Sequence, residues 1–311
     1  VAAPLPKAIL SVPHPKKLAS LPAFRSLVKR RILEAPIEGA LPIAAGICGV
    51  LGYVLLGAFV RSIDSAGFSP SLNSLLASFS IFVDNFFGSG IFVRLFASGP
   101  FPAMAFVSFI PFILFMTFFS LFKLSMEKKN GAFAHYLYAR NLSSEDCFSA
   151  VVFASEVVRF LFFLGAFILF FCVSSWVCSL ALNLSMQGDM LMVLLSLGVC
   201  GFWFSCLCVF ISAVMEHPLS SFLLFSLILF CTALCAVFVS LPRIHEPGFA
   251  GRVFRTIAFA LSPIALAERM VSAGFSRDIL ILFGYWIWLI LYGCLLFIGG
   301  SLIQERKGVV S

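Results

Sequence analysis

The chain has 311 residues, of which 61% are hydrophobic and 11% charged, against about 45–50% apolar and about 25% charged in soluble domains. With a mean hydropathy of +1.08 it lacks the polar residues to cover a soluble sphere, which excludes a soluble globular domain, a disordered chain and a nucleic-acid module. A multi-pass membrane protein remains, and its formal net charge of +7 bears on function through where the cations fall.

Residues 1–20 carry Pro4, Pro6, Pro13 and Pro15 without a sustained apolar core, so they read as an extended tail and not as a signal peptide. The stretch 21–35 differs. Leu21, Phe24, Leu27, Val28, Ile32 and Leu33 recur at helical spacing, and Arg25, Lys29, Arg30 and Arg31 fill much of the rest. That pattern predicts an amphipathic helix at a membrane interface, its cations toward anionic headgroups. Pro36 then breaks the chain, and residues 21–38 form the expected interface segment ahead of the membrane domain at 39–311.

A helix needs about 20 mostly apolar residues to cross a bilayer. Six runs qualify, at about 39–60, 101–122, 150–182, 190–214, 219–241 and 279–303. The third is long enough to tilt or to extend past the bilayer. The run at 72–96 is interrupted by Asp84, Asn85, Gly88-Ser89-Gly90 and Arg94, and reads as a surface or re-entrant segment. Alternating ten-residue strands of a membrane barrel are absent from the pattern. The expected fold is therefore all-α and polytopic, with six transmembrane helices, the interface helix and a short cytoplasmic coupling element.

Six spans put both ends on one side, and every Lys (7, 16, 17, 29, 123, 128, 129 and 307) then falls there. The positive-inside bias makes that side cytoplasmic, although Arg243, Arg252, Arg255, Arg269 and Arg277 lie opposite. Between the fifth and sixth spans, 249–261 is an amphipathic stretch followed by Ser262-Pro263.

Few residues suggest chemistry. No GxxxxGK[ST], HExxH or GxSxG occurs, and the spans hold almost no ionisable residue. Glu156 and Arg159 are the exception, spaced to pair on one helical face, either as structural partners or in gating. The ten Cys include no CxxC and read as small apolar fillers, so neither a metal nor a cofactor is expected. Glu216 and His217 read as the polar tip of a turn before Pro218. Gly46, Gly49 and Gly52, with Ala45, permit close helix packing, within one subunit or between two. The segment 125–146 contains a turn at Asn130-Gly131, a short aromatic helix and a Ser143/Asp146 start signal for the third span. It is either a docking element or a plain connection.

Three stretches carry a family resemblance. Lys29-Arg30-Arg31-Ile32-Leu33-Glu34-Ala35-Pro36-Ile37 resembles the basic interface helix and membrane-entry Pro of ABC-transporter permeases of the type-2 exporter group. Residues 127–142 resemble that group's Glu-x-x-x-Gly turn and short helix, matched at Glu127 and Gly131. Ala132 stands where Thr is usual, Ala134 where an acid is usual, and the customary Pro near Asn141 is missing. Leu261-Ser262-Pro263 through Gly274, with the last span and its basic tail, resembles the group's outer helix and final span. The gliding-associated permeases are the subgroup it looks most like.

The resemblance implies a permease subunit that is not itself an enzyme. It implies an ABC ATPase subunit on the cytoplasmic face, a second permease chain (identical or homologous), and residence in the cell inner membrane, with no nucleic-acid partner. The coupling residues it implies are Arg25, Lys29, Arg30, Glu127, Gly131, Tyr136 and Leu137. The other readings are a structural membrane subunit without a transport path and a membrane-embedded enzyme, the latter lacking any polar cluster in the spans.

Overall fold

A computed structural model describes residues 21–33, 36–65, 100–129, 145–182, 190–240, 253, 256–257, 262 and 279–307. Seven helices account for most of these residues, and no strand occurs among them: α1 (Leu21–Leu33), α2 (Pro36–Ser65), α3 (Pro100–Lys129), α4 (Glu145–Leu182), α5 (Met190–Val214), α6 (Pro218–Ser240) and α7 (Ile279–Lys307). Five of them hold apolar stretches long enough to cross a membrane: Pro36–Leu55, Val107–Lys128, Ala150–Val177, Leu191–Val214 and Ile279–Gln304. This is the architecture of a multi-pass helical membrane protein. The apolar stretch of α6, Pro218–Thr232, is shorter. The interrupted run at 72–96 and the amphipathic stretch at 249–261, apart from residues 253 and 256–257, lie outside the described residues.

Helix α5 sits at the centre and touches α3, α4, α6 and α7, while α4 touches α1, α2, α3, α5 and α7. Side chains tie one end of every helix from α2 to α7 to the same end of the bundle. Lys123 near the end of α3 meets Glu38 at the start of α2. Lys128 reaches the end of α5, Ser125 Oγ lies 3.1 Å from Ser221 Oγ at the start of α6, and Lys307 at the end of α7 reaches Val214. Successive long helices therefore run in opposite directions.

The core follows the inward stripe of α4. Phe153, Phe160, Phe163, Phe167 and Phe171 recur at helical spacing and are buried. Phe167 stacks on Phe112 of α3 at 4.3 Å between ring centroids. Several buried serines bond within their own helices, as suits a span: Ser108 bonds the Ala105 carbonyl, Ser155 that of Val152 and Ser212 that of Val209. Cys206 and Cys208 are buried among apolar neighbours.

Glycine lets α2 approach its neighbours. A Cβ on Gly49 would stand 2.9 Å from both Ser108 Cα and the Val107 carbonyl oxygen of α3. Pro111 lies four residues after Val107 and has no N–H to offer that carbonyl, whose oxygen faces Gly49 of α2. A Cβ on Gly46 would run into the Phe167 ring. Gly52, expected to share this role, faces open space instead. Gly46 and Gly49 are thus contacts within one subunit.

The turn between α5 and α6 is built by local rules. Ser221 N–H donates to the His217 carbonyl at 3.0 Å as the first helical bond of α6, and Leu219 N–H donates to His217 Nδ1 at 3.3 Å. His217 is the N-cap, and Pro218 takes the first helical position, where its missing N–H costs nothing.

Candidate functional site

The most unusual chemistry lies at the shared end, where six charges from four helices form a circuit. It starts on α3 at Glu127, whose Oε2 accepts from Arg31 Nη2 of α1 at 2.6 Å. Arg31 Nη1 donates to Glu156 Oε2 of α4 at 2.7 Å. Glu156 also pairs with Arg159, one helical turn on, which donates through Nε and Nη2. Arg159 Nη1 reaches Glu38 Oε2 of α2 at 3.0 Å, and the same oxygen accepts from Lys123 Nζ of α3 at 3.2 Å. Arg159 Nη2 also donates to Ser120 Oγ of α3 at 3.1 Å. Sign alternates at every step and three cations meet three anions.

Local spacing explains how the circuit closes. Lys123 and Glu127 are four apart and share one face of α3; Glu156 and Arg159 are three apart on α4. Glu156 falls in register with the inward stripe of Phe153, Phe160 and Phe163, so it points into the bundle. Arg159, Glu156 and Arg31 retain 0%, 1% and 2% side-chain exposure, and Glu38 is the outermost member at 31%. A lone buried charge is prohibitive; here each buried charge has opposite partners, and of the circuit's buried polar side-chain atoms Arg31 Nε alone lacks a hydrogen bond among the described residues. Arginine suits the inner cation positions because its planar fork serves two acids at once.

Helix α1 lies on α4 through Leu27 and Arg31, which are buried one turn apart, while Arg25, Lys29 and Arg30 are exposed. This corrects the expectation for Arg31. Grouped by sequence with the cations facing headgroups, it turns inward, because the buried Glu156 and the partly buried Glu127 both accept from it at hydrogen-bond distance. Of the residues implied by the resemblance, the structure brings Glu127 to α1 through Arg31. It leaves Arg25, Lys29 and Arg30 on the opposite face of α1. Gly131, Tyr136, Leu137 and the helix-start residue Ser143 lie outside the described residues. Glu156 and Arg159 do pair, as one link of a larger circuit.

Glu38, Lys123 and Ser120 carry no mark in the sequence as members of a site. One signal was available: Glu38, Lys123, Glu127, Glu156 and Arg159 all lie near the same expected membrane boundary, and Arg31 precedes it closely. Lys128 and Lys307 form a second polar contact nearby. Their ammonium groups donate to the last carbonyls of α5, to Ser212 O at 2.9 Å and to Val214 O at 2.7 Å. Those carbonyls lack intrahelical partners and sit at the negative end of the helix dipole.

The arrangement offers no nucleophile with an adjacent base. No group of three His, Cys, Asp or Glu that could hold a metal occurs among the described residues. What it can do is transmit force, since four helices are joined by directional contacts at one end. Comparison with family models, with curated proteins and with solved structures gives no match.

Proposed function

We propose that the chain is the membrane-spanning permease subunit of an ATP-binding-cassette transporter of the type-2 exporter plan, moving a substrate with energy from a separate ATPase subunit. The observation that carries this reading is the double ion pair of Arg31. It ties α1 to Glu127 at the end of α3 and to Glu156 in α4. The interface helix and the turn after the second span are the two elements through which such permeases would receive force. A link between them lets one push move both.

In this reading α2 to α7 are six spans, with α6 crossing over Pro218–Ser240. The charged end faces the cytoplasm, because Lys29, Lys123, Lys128 and Lys307 gather there. Both termini are then cytoplasmic and the membrane is the cell inner membrane. Arg25, Lys29 and Arg30, together with Gly131, Tyr136 and Leu137, form the face toward the ATPase, and a second permease chain completes the path.

The test is purification of the tagged full-length chain from native membranes. The expected result is co-purification of a nucleotide-hydrolysing subunit whose ATPase activity is retained while transport is lost in Glu127→Ala. Purification with other membrane proteins but no ATPase overturns the reading and favours a structural subunit.

A further inference from the structure

Glu127 and Lys128 are neighbours in sequence at the end of α3, yet they serve different halves of the bundle. Glu127 accepts from Arg31 of α1 at 2.6 Å. Lys128 Nζ donates to the carbonyls of Ser212 at 2.9 Å and Ala213 at 3.4 Å in the last turn of α5. Consecutive residues on a helix point about 100° apart, so one backbone position sends an anion to one group of helices and a cation to another.

Each contact is backed by a second that does not involve α3. Arg31 is also held by Glu156 of α4, so α1 stays on α4 when Glu127 lets go. The end of α5 is also held by Lys307, which donates to Val214 O at 2.7 Å and lies 3.9 Å from Glu216. Close packing at Gly293 and Gly300 of α7 against Phe202 and Phe210 of α5 adds to that hold. The α3 contacts are therefore dispensable for holding each pair together; they join α3 to α1 and to the end of α5, while the bond from Arg159 Nη2 to Ser120 Oγ is a separate polar link from α3 to α4.

We propose that the end of α3 is a two-armed clamp, in which Glu127 couples α3 to α1, Lys128 couples it to the end of α5, and each arm releases independently of the other. The device goes beyond the ATPase reading and does not depend on it. Any agent that displaces the end of α3 would be divided along the two arms.

The test uses the full-length chain in phosphatidylethanolamine/phosphatidylglycerol nanodiscs, with amide hydrogen exchange read by mass spectrometry and no ATPase present. Glu127→Gln is expected to raise exchange in 21–33 about fivefold, the factor given by loss of roughly 1 kcal/mol from a hydrogen-bonded ion pair whose Arg31 stays paired with Glu156, and to leave 211–218 unchanged. Lys128→Met is expected to do the converse, with Lys128→Arg restoring the parent pattern. The double variant should show both changes without excess, as independent sites do. A single variant that moves both regions, or neither, overturns the proposal. So does failure of either variant to fold, since the backing contacts would then be insufficient.

Discussion

The two halves of the bundle are held together by opposite means. Helices α1 to α4 meet at the charged end through six acidic and basic side chains in an alternating circuit, of which Glu156 and Arg159 form the buried centre. Helices α5 and α7 meet through glycine-to-aromatic contacts along their length, with two lysines on the last carbonyls of α5. Ionic contacts are few, directional and interdependent, so one substitution unbalances the circuit. Apolar contacts are many and individually small, so the second half tolerates single changes better.

The largest effect should come from breaking the circuit at its centre. Glu156→Gln leaves three cations against two anions in a buried site. It is expected to cost about 3–5 kcal/mol, the usual penalty for orphaning one partner of a buried pair. Thermal unfolding of the purified protein checks this. Glu38→Gln, at the exposed edge of the circuit, should shift the midpoint far less. Equal shifts for the two would show that burial does not grade the circuit.

Next comes the packing of α2 on α3. Gly49→Ala places a methyl 2.9 Å from backbone atoms of Val107 and Ser108 and should cost about 1–3 kcal/mol as overpacking. Gly52→Ala meets nothing within 4 Å and should be neutral or stabilising by up to about 1 kcal/mol through helix propensity. Comparing the two midpoints by thermal unfolding isolates contact from propensity. The smallest effect belongs to the second half. Trp286→Phe loses the 3.0 Å bond from Nε1 to Ser196 Oγ and should cost about 0.6 kcal/mol, the average for such bonds between spans. A loss as large as that of Glu156→Gln would erase the contrast between the halves.

Much of the architecture was legible along the chain. The apolar runs starting at 101, 150, 190 and 279 reappear as α3, α4, α5 and α7, because a run of apolar side chains with few charges has helix as its main way to satisfy backbone groups in lipid. The Glu156–Arg159 pair was legible for the same reason: three residues apart on a helix is a local distance. The turn at His217 was visible as a polar tip before Pro218, but its N-cap role needed the Leu219 amide in place. Arg31 was misread because helical spacing sorts residues by face without saying what stands opposite that face. Gly52 was not separable from Gly49 because small residues at close spacing do not say which of them meets a neighbouring helix of the same chain.

What the sequence alone determined is the solvent this protein meets, its helical class and the position of its scarce charges along each helix. Those depend on composition and on repeats of three to four residues, both properties of local chain. Only the tertiary structure decided that Arg31, Glu38, Lys123, Glu127, Glu156 and Arg159, up to 125 positions apart in a direct pair, belong to one circuit. The reason is electrostatic. A carboxylate can remain charged inside the bundle only where cations from other helices arrive at hydrogen-bond distance, and their arrival is set by how α1 to α4 pack.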